Sequence, residues 1–200
     1  MAYKCVLYFV KYPEPGKVKT RLAKSIGNEA AALAYRGLAE SGFSTLKELS
    51  PSEFKITVMF DPPEKEREVR EWLAGASDYK PQNGNDLGER LTHAFKSAFG
   101  EDACAVAALG SDTLGLKKEM IEKAFDNLQY YDAVIGPAKD GGYYLIGCKE
   151  IYESLFENIP WSTPGVLKAT LGWIREEGLS HSLLPELEDL DELKISDKKR

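Results

Sequence analysis

The chain alternates short apolar runs with amphipathic stretches along nearly its whole length, and that alternation leaves few folds open. Strands are expected at Lys4–Val10, Phe54–Phe60, Ala103–Leu109, Asp132–Ile135, Tyr143–Cys148 and His181–Leu184, with a short extended piece at Tyr79–Gln82. Helices are expected at Asn28–Leu49, Glu64–Leu73, from the polar loop Asn83–Gly88 to about Phe99, and at Lys117–Leu128, Glu150–Phe156 and Pro164–Glu177. Asn28 is a candidate N-cap, and Asp61-Pro62-Pro63 ends the second strand. Such alternation implies a mostly parallel sheet with helices on both faces, whose ligands sit at the carboxyl ends of the strands. No internal repeat, low-complexity segment or linker interrupts the pattern, so residues 1–200 are expected to form one domain.

Composition narrows the classes. A net charge of −6 argues against nucleic-acid binding, and no apolar run approaches membrane-spanning length. The first residues lack the charged start, long apolar stretch and small-residue cleavage site of a signal peptide. Cys5, Cys104 and Cys148 lie in or beside strand-like runs without a Cys-x-x-Cys pair. Reduced thiols in a cytoplasmic protein are expected.

Against the acidic background, Tyr12-Pro-Glu-Pro-Gly-Lys-Val-Lys-Thr-Arg-Leu22 concentrates Lys17, Lys19 and Arg21 just after the first strand. A cationic loop that leaves a strand and enters a helix suits phosphate, through side-chain charge and backbone N–H groups. It is not a Walker A sequence, and a solvated basic turn is the rival reading.

Gly110-Ser-Asp112 places a carboxylate directly after a buried strand. One aspartate there can hold Mg²⁺ or Mn²⁺ with phosphate oxygens and waters; a helix N-cap is the alternative. In Gly136-Pro-Ala-Lys-Asp-Gly-Gly-Tyr-Tyr-Leu-Ile-Gly147, Lys139 and Asp140 sit at a turn, and Gly141 and Gly142 admit close approach by a ligand. A plain hairpin turn competes with that reading. In Gln82-Asn-Gly-Asn-Asp-Leu-Gly-Glu-Arg90, the Gln82 amide can read a base edge, whereas Asp86 reads equally as an N-cap. Asp189-Leu-Asp191 offers a second metal ligand or a solvated acidic tail. His93 and His181 show no ligand spacing.

Taken in order, these motifs resemble one family. Phe9–Leu22, Gln82–Arg90, Gly110–Leu116, Gly136–Gly147, Trp161-Ser-Thr163 and Asp189–Asp191 are similar to segments of the GT-A-like glycosyltransferases of the arsenosugar-biosynthesis type, a group of nucleotide-diphospho-sugar transferases. The molybdenum-cofactor and 2-phospholactate guanylyltransferases are broader relatives. The resemblance implies a GT-A-like α/β fold, a nucleotide held by the first loop, and a divalent metal on Asp112. The chain departs from the family at Leu114, where proline is usual, and a less rigid turn is expected there.

The resulting expectation is a cytoplasmic, metal-dependent (Mg²⁺ or Mn²⁺) transferase that moves a sugar from a nucleoside diphosphate-sugar to a small acceptor. Lys17, Lys19 and Arg21 would hold the diphosphate, with Gln82, Arg90, Lys139, Gly141 and Gly142 completing the nucleotide and substrate contacts. Asp112 would ligate the metal with Asp191 or Asp140 as a second ligand, and Asp140 would alternatively serve as base on the acceptor. A nucleotidyltransferase that releases pyrophosphate from a nucleoside triphosphate uses the same loop and metal. A catalytically silent nucleotide-binding domain is the reading from another class. Base, sugar, acceptor and oligomeric state are not encoded in these motifs.

Overall fold

The computed structural model describes residues 3–189. In chain order its elements are β1 (Tyr3–Lys11), α1 (Thr20–Ile26), α2 (Asn28–Leu46), β2 (Phe54–Asp61), α3 (Glu66–Trp72), β3 (Asp78–Pro81), α4 (Leu87–Gly100), β4 (Ala103–Gly110), β5 (Thr113–Leu114), α5 (Lys118–Asn127), β6 (Ala133–Pro137), β7 (Tyr143–Cys148), α6 (Val166–Glu176), β8 (His181–Leu183) and β9 (Glu188–Asp189). Seven strands form one sheet in the order β3-β2-β1-β4-β7-β6-β8. All neighbours are parallel except at β7, which runs antiparallel to both β4 and β6. The sheet is therefore mixed and mainly parallel, as the alternation predicts.

β1 and β4 are nearly continuous apolar runs because both of their faces are covered. On one face Val6, Tyr8 and Val10 meet α2, α3 and α5 through Phe43, Leu46, Val69 and Phe125. On the other, Leu7, Val106 and Ile146 meet α4 and α6 through Leu91, Phe95 and Ile174. Among the described residues no helix is long and apolar enough to cross a membrane.

Several local expectations shift. The segment Glu150–Phe156 makes only a 3₁₀ turn at Glu153–Phe156, because Leu155 and Phe156 are both drawn into the core over a very short span. α2 stops at Leu46, ahead of the helix-opposing Ser50-Pro51 pair. Its N-cap is Gly27, and Asn28 is the first helical residue without a capping side chain. α1 and the two-residue ladder between β5 and β9 have no sequence signal: α1 is seven residues long and buries only Leu22.

The β6–β8 edge is held by a polar clasp. The Asp132 carboxylate accepts from Ser180 N (2.7 Å) and Ser180 Oγ (2.6 Å) and pairs with Lys149 Nζ at 2.7 Å. These partners, Lys149 foremost, hold the Asp132 pKa well below the ordinary carboxylate range. A depressed pKa contributes stability above the unfolded value of about 3.9 and loses it as pH falls through the folded value. Asp132→Ala is expected to cost about 1–2 kcal/mol at neutral pH and to remove part of the acid sensitivity of unfolding. Urea melts at pH 7 and pH 3 check this; equal loss at both pH values would show that the carboxylate charge plays no part.

Candidate active site

The carboxyl ends of β1 and β4 open onto a cleft of about 790 Å³, within the range of small-molecule sites. Its lining includes Lys17, Lys19, Arg21, Tyr35, Gln82, Gly110, Ser111 and Asp112, and, from the turn between β6 and β7 and the segment before α6, Asp140, Gly142, Tyr143 and Trp161–Pro164. Segments far apart in sequence thus meet where a mainly parallel sheet places its ligands.

The cationic loop is fastened from beneath. Val18 is 3% exposed and packs with Ala32, Tyr35 and Ala39 of α2, while Leu22 is buried one helical turn on. Lys17 and Arg21 stay exposed and carry no ion pair among the described residues. The start of the loop has few amides to offer: Glu14 N–H donates to Tyr12 O, Lys17 N–H donates to Glu14 O, and Pro13 and Pro15 have no N–H. Side-chain cations carry full positive charge here, beside the N-terminus of α1. Lys19 has φ 46° and ψ 46°, a left-handed conformation that costs a non-glycine residue roughly 1–2 kcal/mol. Its ammonium lies 2.8 Å from Asp112 Oδ2.

Asp112 does not cap a helix: α5 begins at Lys118 with Lys117 as its N-cap. Its side chain is 38% exposed and faces the cleft. The next two residues pair with Glu188–Asp189, so the turn expected to be less rigid at Leu114 is held by a strand ladder. Tyr35 braces the same region from α2. Its hydroxyl accepts from Lys11 N–H at 2.8 Å and shares a 2.8 Å hydrogen bond with Ser111 Oγ, joining the ends of β1 and β4. Burial pushes the Tyr35 hydroxyl up to about 12, so it stays protonated at neutral pH. Sequence reading passes over Tyr35, because a tyrosine in an alanine-rich helix reads as core.

Asp140 lines the same cleft, exposed, with Oδ1 accepting from Gly142 N–H at 2.8 Å. Gly141 serves packing: at φ 90°, a Cβ there would stand 2.4 Å from Pro164 O. The backbone of Pro164 makes the close approach at this position. Trp161 stacks edge-on against Tyr143, with ring centroids 6.3 Å apart. It also sits where a Cβ on Gly88 would come within 2.8 Å of Nε1.

The remaining sequence candidates divide. Gln82 lines the cleft, but its Nε2 donates to Val10 O (3.0 Å) and Met59 O (2.9 Å), and its Oε1 accepts from Arg90 Nη1 (3.1 Å). Both donors of the amide are committed to the strand ends, which makes Gln82 a brace in this structure. Arg90 also donates to Gly84 O and pairs with Asp61, and is not part of the cleft lining. Lys139 pairs with Glu188 at 3.1 Å and likewise is not part of the lining. Asp86 caps α4 through Glu89 N–H. Asp191 lies outside the described residues.

Among the described residues no cluster of three or more His, Cys, Asp or Glu is placed to hold a metal unaided. One half-exposed carboxylate at the strand end suits an ion that brings phosphate oxygens and water as its other ligands, which is how Mg²⁺ is commonly held. The donor set at Asp112 fits that type of site.

Known proteins bear on this geometry at two levels. At high similarity stands a candidate nucleotide-diphospho-sugar transferase from Desulfovibrio desulfuricans G20, 38% identical, with a TM-score of 0.90 over 96% of this chain and 84% of that one. At low identity, the glucosyl-3-phosphoglycerate synthase of Mycobacterium tuberculosis, solved with Mn²⁺, UDP and glucosyl-3-phosphoglycerate, is 11% identical with a TM-score of 0.60, over 94% of this chain and 71% of that one. The 4-diphosphocytidyl-2C-methyl-D-erythritol synthase of Anaerococcus prevotii is 9% identical with a TM-score of 0.61, over 92% of this chain and 89% of that one. These two likenesses are of fold, and they identify the fold as that of GT-A-like glycosyl and nucleotidyl transferases. No curated protein matches the chain in sequence. Residues 45–163 match a family model, and with the 38% identical structure this shows that the chain belongs to the family described as "Uncharacterized protein conserved in bacteria (DUF2064)".

Proposed function

We propose that the chain is a metal-dependent glycosyltransferase that takes a nucleoside diphosphate-sugar as donor and a small molecule as acceptor. The carrying observation is that one cleft joins the exposed cations Lys17 and Arg21, the strand-end carboxylate Asp112 and Asp140. The name of the 38% identical relative supports the same reading.

In this proposal Lys17 and Arg21 bind the diphosphate through charge-assisted hydrogen bonds. Asp112 would hold Mg²⁺ or Mn²⁺ together with phosphate oxygens. A divalent ion there offsets the charge that builds on the departing diphosphate. Asp140, oriented by the Gly142 N–H, takes the proton of the acceptor hydroxyl as general base. Tyr143 and Trp161 shape the wall beside it. Pro13 and Pro15 remove two N–H donors from the loop, so its side-chain cations carry most of the grip, which suits a diphosphate with its metal, whereas wrapping a triphosphate calls for more N–H donors.

Lys17→Ala and Arg21→Ala are each expected to weaken nucleoside diphosphate binding roughly 10–100-fold with little change in melting temperature, since both side chains are exposed. Calorimetry checks this, and unchanged affinity in both variants removes the loop from the site. The reaction itself is tested by a paired assay with Mn²⁺. Sugar nucleotides are scored for nucleoside diphosphate release, and nucleoside triphosphates with sugar phosphates are scored for pyrophosphate. Pyrophosphate as the sole product would replace this reading with a nucleotidyltransferase.

A further inference from the structure

The three cations of the first loop are not equivalent. Lys17 and Arg21 are exposed, but the Lys19 side chain is only 6% exposed and lies 2.8 Å from the carboxylate proposed to take the metal. The chain adopts left-handed backbone at Lys19 to place it there, at a position with no glycine to ease the strain. Strain of this kind persists only where the surroundings impose it, and it gathers at functional sites.

We propose that Lys19 is a tethered counter-ion for Asp112 that keeps a free divalent cation out until a phosphate ligand arrives. The inference rests on the glycosyltransferase reading for the identity of that ligand. An ammonium at Asp112 Oδ2 neutralises the carboxylate and repels a second cation from the same oxygen. A diphosphate brings new anionic oxygens into the cleft beside Lys17 and Arg21. Lys19 can then exchange its carboxylate for phosphate, which would leave Asp112 Oδ2 open to hold a divalent ion together with phosphate oxygens. Lys19 thereby couples the two sites: cation and phosphate each favour the other's binding, by the same factor in both directions. In this scheme Lys19 is a positioning residue for the metal.

The test is Mn²⁺ alone, with no nucleotide or sugar, titrated into the full chain and read as free Mn²⁺ by electron paramagnetic resonance. Four proteins are compared: wild type, Lys19→Met, Lys19→Gly and the double variant Lys19→Met/Asp112→Asn. Glycine suits the left-handed backbone, so Lys19→Gly stays informative if Lys19→Met folds poorly. Removing the ammonium is expected to tighten Mn²⁺ binding at least about tenfold, and Asp112→Asn is expected to abolish the gain. Single variants that bind Mn²⁺ no more tightly than wild type overturn the proposal, as does a gain that survives in the double variant. Because no donor is present, a failed transferase assay leaves this result standing. A failed Mn²⁺ result likewise leaves the donor assay intact.

Discussion

Asp112→Asn is expected to lower transferase turnover roughly 10²–10³-fold, the scale seen when a group that stabilises developing charge is removed. Asparagine keeps the shape of the side chain and can still accept from Lys19, so the loop has no steric reason to rearrange. What disappears is the negative charge at the end of β4, and with it the affinity proposed above for a cation bound together with phosphate. The side chain is 38% exposed and caps no helix, so any loss of stability comes from the Lys19 ammonium, 6% exposed, losing its counter-charge. Turnover with Mn²⁺ and a sugar nucleotide, paired with a thermal melt, separates the two effects. Wild-type turnover in a folded Asp112→Asn protein would remove this residue from catalysis.

Gly141→Ala is expected to be the most destabilising change in the site, by about 2–4 kcal/mol, through overpacking added to left-handed backbone strain. The new methyl would press on Pro164 O at 2.4 Å and Pro164 Cα at 2.7 Å, both backbone atoms that cannot swing aside. Gly141 O also accepts from Leu167 N–H near the start of α6, so relief of the clash would pull on that helix and on the Trp161–Pro164 wall. Gly142→Ala offers the contrast: its methyl would meet only the Asp140 carboxylate of the same turn, at 3.2 Å. Urea denaturation of both variants decides the matter. Equal midpoints for Gly141→Ala and wild type would mean that the 160s segment yields easily and does not fix the Asp140 turn.

The contrast between these glycines shows what a sequence exposes and what it conceals. Strand–helix alternation was legible because covered strands must be apolar and covered helices amphipathic, so the order of elements and the parallel sheet could be read directly. The residues that line the cleft were legible in the same way: Lys17, Lys19, Arg21, Asp112 and Asp140 all follow strands. What each of them touches was not. The Lys19–Asp112 pair spans 93 positions and the Tyr35–Ser111 bond 76, and no local pattern announces either. Gln82 looked like a reader of bases because its amide both donates and accepts; those same properties suit it to tie Val10, Met59 and Arg90 together. Gly141 and Gly142 looked equivalent, but only the three-dimensional path of the 160s segment tells them apart. The short elements α1, β5 and β9 were hidden because so few residues carry no periodicity.

The position of β7 has a consequence for how the protein comes off the ribosome. Strands β1 to β4 pair among themselves, but β4 must wait for β7 before its second edge is covered, and β6 likewise joins this part of the sheet only through β7. Synthesis at ~5–20 residues per second takes roughly 2–8 s to cover the stretch from Gly110 to Cys148. Throughout that interval the nascent chain presents an apolar, alanine-rich strand with unpaired amides and carbonyls, a ready template for a wrong partner. The strand that completes the wall carrying Asp140 is thus also the one that ends the chain's exposure to aggregation during its birth.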